Sequence, residues 1–282
     1  MVGSRDRQPS WWRRSILFLV VAGGACVAYG HWVEPYWPTV IHVRIRSAKA
    51  GDRSRPLRIV HISDIHSDPR PRLEERLPGL IAAEHPDVIV YTGDSINSPP
   101  ALPIFRRLMT RLAEVAPTFA VRGNWDAWYW RDEDLFGGTG VHELDGRAEG
   151  VTVGDRQVWI AGVAVGHESL ARTALDQVPA GSLTIFLYHY PYPDVIPEED
   201  AARVDLLCAG HTHGGQVALP LYGAILTLSK YGKKYESGLY RAGSFWMYVN
   251  RGIGLEGGDA PRVRFWARPE ITAIDIVSGP GP

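Results

Sequence analysis

Apolar positions along the chain fall into distinct regimes. Residues 15–30 (Ser-Ile-Leu-Phe-Leu-Val-Val-Ala-Gly-Gly-Ala-Cys-Val-Ala-Tyr-Gly) form a nearly unbroken apolar run. It is close to the shortest helix that crosses a bilayer, for which ~17–25 residues are needed. Residues 47–56 are polar and read as a linker. From Leu57 onward, short apolar runs alternate with helical spacing. The pattern predicts strands over 57–63, 87–91 and 118–121. Helices are predicted over 73–84 and 102–115, the second with Arg106, Arg107 and Arg111 on its wet side. Such alternation argues for βαβ units and a largely parallel sheet. Farther on, strand-like runs at 157–163, 183–188, 204–209, 245–250 and 271–277 crowd together and suit a second sheet packed on the first. The expected organisation is therefore a basic region and apolar segment at 1–46, a linker at 47–56, a folded domain at 57–277 and a disordered tail at 278–282.

Charge refines the ends of this picture. Arg5, Arg7, Arg13 and Arg14 precede the apolar run, with Trp11 and Trp12 beside them. The positive-inside rule then leaves the amino terminus in the cytoplasm and the folded domain on the extracytoplasmic side. Arg13-Arg14-Ser15-Ile16-Leu17 also matches a twin-arginine export signal. An uncleaved anchor and a removed export signal both fit, and a buried soluble helix is the less favoured alternative. Lys plus Arg is 30 against 31 for Asp plus Glu, so the formal net charge is -1 and no strongly basic nucleic-acid surface is expected. The two cysteines, Cys26 in the apolar run and Cys208 in a strand, are too few for a thiolate zinc site and badly placed for a disulfide. A monomer is expected.

The chemistry lies where the predicted strands stop, the usual place for ligands in α/β sheets. In order, those ends carry Asp64 and His66, Asp94, Asn124, His189, and His211 with His213. Each has an ordinary alternative: Asp64 or Asp94 alone reads as a helix cap, Asn124 as a turn residue, His189 as a core histidine. Together they form a mixed oxygen and nitrogen donor set suited to Mn, Fe or Zn. Seven side chains are too many for one ion and divide naturally over two, the arrangement that clamps attacking and leaving oxygens in phosphoryl displacement.

Asp64-x-His66, Gly93-Asp94, Gly123-Asn124, His189 and Gly210-His211-x-His213 together resemble the calcineurin-like metallophosphoesterases. The longer Gly210-His211-Thr212-His213-Gly214-Gly215-Gln216, with Asn250-Arg251-Gly252-Ile253-Gly254 and Arg268-Pro269-Glu270 downstream, is similar to the membrane-associated YkuE/YaeI-type phosphodiesterase branch. The resemblance implies a four-layer αββα sandwich. It assigns Asp64, His66 and His213 to one divalent ion and Asn124, His189 and His211 to the other, with Asp94 bridging. It makes Asp94, Asn124 and His213 catalytic and a hydroxide activated by the two ions the nucleophile. Relatives of the branch imply a UDP-2,3-diacylglucosamine pyrophosphatase-like activity as the sharpest substrate expectation.

One position departs from the family. Where its members carry a histidine after Gly-Asn, this chain has Trp125, followed by Asp126. An indole has one N–H donor and no proton to transfer at neutral pH. The expected enzyme thus works on phosphodiesters or pyrophosphates with good leaving groups, with Trp125 and Asp126 near the substrate. The competing expectation is a metal-binding scaffold with little turnover. Beyond the histidine pair, residues 217–226 are apolar and precede Lys230, Lys233 and Lys234. They read either as a core hairpin with a solvated basic turn or as a surface that receives a lipid-linked phosphate.

Overall fold

Two six-stranded sheets pack face to face, with helices on their outer sides, in a computed structural model that describes residues 11–52, 55–256 and 262–282. Arg5 and Arg7 of the basic flank, and Arg53 and Ser54 of the expected linker, lie outside the described residues. In chain order the strands are β1 (Thr39–Ser47), β2 (Leu57–Ile62), β3 (Val88–Tyr91), β4 (Thr118–Ala120), β5 (His142–Glu143), β6 (Arg147–Val153), β7 (Arg156–Gly162), β8 (Leu183–Leu187), β9 (Leu206–Ala209), β10 (Ala218–Leu219), β11 (Gly223–Ala224), β12 (Gly238–Ala242), β13 (Phe245–Val249) and β14 (Glu270–Ser278). The helices are α1 (Trp11–Trp32), α2 (Leu77–Ala82), α3 (Leu102–Ala113), α4 (Asn124–Tyr129) and α5 (Ala171–Asp176).

The first sheet runs β1-β14-β2-β3-β4-β5 and the second β12-β13-β9-β8-β7-β6. Strands β2 to β5 are mutually parallel, as are β7, β8, β9 and β13. Side-chain alternation builds the layers. On β2, Leu57 and Ile59 enter the core between the sheets, where they meet Ile185, Leu187 and Cys208. Val60 and Ile62 point outward to Leu77 of α2 and to Phe105 and Leu108 of α3. A third core packs α5 on the outer face of the second sheet, through Ala174 and Leu175 against Phe186. The result is the expected four-layer mixed α/β sandwich.

Three features differ from expectation. Strand β14 does not join the second sheet. It inserts into the first, antiparallel to β2 and parallel to β1. Strand β1 lies upstream of the expected domain start and runs into the expected linker at Ser47, so the folded body begins before residue 57. Its Ile45 is buried while Arg44 and Arg46 are exposed. Tail residue Ser278 is the last of β14, paired with Ser47.

Beyond Arg14, helix α1 is apolar on all sides as far as Tyr29 and leaves its residues bare: Phe18 is 70% and Leu19 66% exposed. Among the described residues it is the one helix long and apolar enough to cross a membrane. Among the described residues its carboxyl end meets the body, where the Arg264 amide donates to the Gly30 carbonyl at 2.8 Å.

Candidate metal centre

The carboxyl ends of β2, β3, β4, β8 and β9 converge between the two sheets, and each strand there gives way to a tight turn. Asp64, His66, Asp94, His211 and His213 all have positive φ, between 42° and 73°. That region is costly for residues with a Cβ and collects at functional sites. Loops must also approach closely. A Cβ on Gly210 would lie 2.2 Å from Asp64 Oδ2, so glycine is needed just before the histidine pair.

Asp64, His66 and His213 bring three donor atoms within 4.8 Å of one another, and Asp64, Asp94 and His189 form a second such trio. Asp94 Oδ2 lies 3.5 Å from His66 Nε2 and 3.4 Å from His189 Nε2. Asn124, the first residue of α4, sets Oδ1 2.8 Å from His189 Nε2. His211 stands at the rim. Its ring centroid is 5.2 Å from that of His189, and its Nε2 donates to the Leu228 carbonyl at 3.3 Å. Its backbone amide donates to Asp64 at 3.1 Å.

Neighbours fix which ring nitrogen faces the cluster. His189 Nδ1 donates to the Thr92 carbonyl at 2.7 Å, and His66 Nδ1 pairs with Asn97 Oδ1 at 3.0 Å. Both turn Nε2 inward, as metal-binding histidines do. Among the described residues, the fully buried His66 Nε2 has no hydrogen-bond partner, which is costly unless a ligand completes it. Burial alone would raise the Asp94 carboxyl, but His189 and His66 hold it well below the usual carboxylate range. Burial pushes Asp64 up to about 6. Burial opposes a proton on His189, yet Asp94 and Asp64 outweigh it and lift the imidazole to about 9. Burial holds the imidazoles of His213 and His211 below their ordinary value, the latter at about 4, so they stand as neutral donors beside the two carboxylates, a set that fits divalent cations.

Several contributors escaped the sequence. Asn97 orients His66, and its Nδ2 donates to the His66, Asp68 and Leu255 oxygens. Fully buried Arg264 donates to the carbonyls of Gly254, Arg251 and Ala267 and sets Nη2 3.3 Å from His213 Nδ1. Neither carries a local signal, because each acts through residues distant in the chain. Asp126 differs from its expected place near the substrate. It is fully buried, and its carboxylate accepts the amides of Gly123, Asp94 and Ser95, each at 2.9 Å. It secures the two loops instead. Trp125 is half-buried, edge-on to His66 at 5.3 Å between centroids, and its amide donates to Asp94 Oδ1 at 2.8 Å.

The family profile described as calcineurin-like phosphoesterase matches residues 57–215. The chain is 30% identical to a Bacillus subtilis protein named metallophosphoesterase YkuE, over 93% of this chain and 95% of that one. It is 29% identical to phosphodiesterase YaeI of Escherichia coli, over 91% and 95%. A Danio rerio transmembrane protein with metallophosphoesterase domain is 28% identical over 93% of this chain and 62% of its own length.

Proposed function

We propose a two-ion reaction for this chain, which belongs to the calcineurin-like phosphoesterase family and is a phosphoesterase. It hydrolyses phosphodiester or pyrophosphate bonds, with the substrate borne on a lipid. Asp64, His66 and His213 would hold one divalent ion and Asn124, His189 and His211 the other, with Asp94 available to both. The observation that carries this is the orphaned, buried His66 Nε2 facing Asp94 among donors from five strand ends. Bound ions would supply Lewis acidity and an activated water. The chain's own part is to aim the donors: Thr92 and Asn97 orient two imidazoles, and Asp126 fastens the Asp94 and Asn124 loops.

Trp125 shapes the substrate range. No proton donor stands at its position, so esters with good leaving groups are favoured, such as pyrophosphates and aryl diesters. A UDP-2,3-diacylglucosamine-like pyrophosphate belongs to this class. Trp125 also favours a second reading, a metal-binding scaffold with negligible turnover.

Membrane association is supported by the exposed apolar α1 and by relatives named as transmembrane proteins. We place the phosphoesterase body on the extracytoplasmic side, from the arginines before α1. The test uses the full chain in detergent, because a fragment starting at residue 47 would lack β1. Bis-p-nitrophenyl phosphate and p-nitrophenyl phosphate are assayed with Mn²⁺ and after chelation. Turnover that disappears on chelation and in Asp94→Asn supports the enzyme. A folded, metal-binding chain without turnover on either ester would leave the scaffold.

A further inference from the structure

The hairpin formed by β10 and β11, and the chain just after it, show apolar side chains to solvent. Leu219, Leu221, Tyr222, Ile225, Leu226 and Leu228 are 45% to 110% exposed. Of the two alternatives the sequence left open, this is not the core hairpin. Nor is it a loose loop. Ala218 pairs with Ala224, the Ala224 amide donates to Glu236 at 3.0 Å, and Lys233 donates to the Ala224 carbonyl at 2.8 Å. Leu221 and Leu228 hold positive φ of 65° and 53°, unusual for bulky residues. A firmly tied base that presents strained, bare leucines suits a surface built for an apolar medium.

Segment 262–268 joins this hairpin to α1. On one side Phe265 exchanges backbone hydrogen bonds with Gln216 and Ala218, each at 2.8 Å. On the other its ring meets Tyr29 edge-on at 6.1 Å, and the Trp266 and Ala267 amides donate to Glu34. Trp266, 61% exposed, sits between the two. A bilayer that holds α1 therefore reaches the hairpin within the width of a single chain segment. A cavity of about 350 Å³ lies against the hairpin, lined by Val217, Ile225, Leu226 and Leu228, with His213 and Glu256 also in its wall.

We propose that this hairpin rests on the bilayer and that the cavity against it takes the acyl chain of a lipid-borne phosphoester, delivering the phosphate to the centre at His213. The proposal rests on the phosphoesterase reading above and adds how the substrate is selected. Each methylene buried in such a cavity is worth about fourfold in affinity. Hydrolysis should therefore strengthen with alkyl length until the cavity is full, and exposed charge at its mouth should remove that gain.

The test places the full chain in phosphatidylcholine vesicles with Mn²⁺ and compares methyl and octyl p-nitrophenyl phosphodiesters. In Ile225→Glu/Leu226→Glu the octyl-to-methyl ratio of kcat/KM should fall at least about tenfold, the loss of about two buried methylenes. An unchanged ratio, or no dependence on chain length in the natural chain, overturns the cavity's role. A second arm reads docking without catalysis, in a Cys26→Ser background. A fluorophore at Leu221→Cys should be quenched by spin-labelled lipid. One at exposed Ala180→Cys, at the amino end of β8 and so away from the centre, should not. Equal quenching at both sites overturns the docking surface. If neither ester is hydrolysed by the natural chain, the phosphoesterase reading fails, and the quenching arm still decides the docking.

Discussion

Gly254→Ala is the sharpest test of how the centre is held. Gly254 sits against the Asp64–His66 turn, where a Cβ would lie 2.0 Å from the Ile65 carbonyl oxygen and 2.9 Å from His66 Cβ. Real Cβ atoms do not come within 3.0 Å of such neighbours, so the two segments must part by about 1 Å. Neither side can yield freely. The Gly254 amide donates to the Asp64 carbonyl at 2.7 Å, the Ile253 amide to Ser63 at 3.0 Å, and Arg264 grips the Gly254 carbonyl from behind at 2.7 Å. Overpacking of this kind costs ~1–3 kcal/mol. A displacement of ~1 Å at reacting groups costs on the order of 10²-fold in rate. We expect kcat/KM for bis-p-nitrophenyl phosphate to fall about 10²-fold and half-saturating Mn²⁺ to rise, with the unfolding free energy from urea titration lowered by only ~1–3 kcal/mol. Gly79→Ala is the control. That exposed glycine lies inside α2 with open space around it, so alanine should stabilise by ~0.5–1 kcal/mol and leave kinetics alone. A folded Gly254→Ala enzyme within about threefold of the natural rate and metal requirement would refute the argument, since ~1 Å at the centre should cost far more.

Three further outcomes are expected. Trp125→His should raise hydrolysis of alkyl phosphodiesters by up to ~10²–10⁴-fold while changing p-nitrophenyl esters little, because only poor leaving groups need a proton donor; equal effects on both would discard the role given to the indole. Asp205 accepts from Ser47 Oγ at 2.6 Å and the Thr184 amide at 2.9 Å, clamping the first sheet to the second, so Asp205→Ala should cost ~2–4 kcal/mol in urea unfolding through the donors it strands. Arg58 forks Asp275 at 2.8 and 3.0 Å, and these hydrogen bonds hold the Asp275 carboxyl below its usual value. A depressed carboxyl stabilises the fold above its unfolded pKa and loses that contribution as pH falls through the folded one, so Arg58→Ala should flatten the acid limb of stability below about pH 4. An acid limb unchanged in Arg58→Ala would show the pair to be inert.

The chain order alone specified a good deal. Alternation from Leu57 onward marked most strands, because side-chain period and β propensity are local properties of a pleated backbone. The donors at the strand ends were legible for the same reason: Asp64, Asp94 and Asn124 each stand just beyond an apolar run. The period of two in β1 was present as well, with Val43 and Ile45 between His42, Arg44 and Arg46. Its place beside the apolar segment hid it.

What tertiary structure alone decided depends on partners far apart in the chain. The insertion of β14 between β1 and β2 is made of hydrogen bonds spanning over two hundred residues, for which no periodicity codes. Asp126 reads as a residue near the substrate, until folding brings the Asp94 loop within reach of its carboxylate. Asn97 and Arg264 carry no motif, yet each closes on a histidine of the centre. The hairpin's leucines read equally as core or as a lipid-receiving surface; folding leaves them exposed, and their position beside α1 favours the second. Sequence sets which way a side chain faces along its own strand or helix, whereas the group it meets there is set by how the layers close.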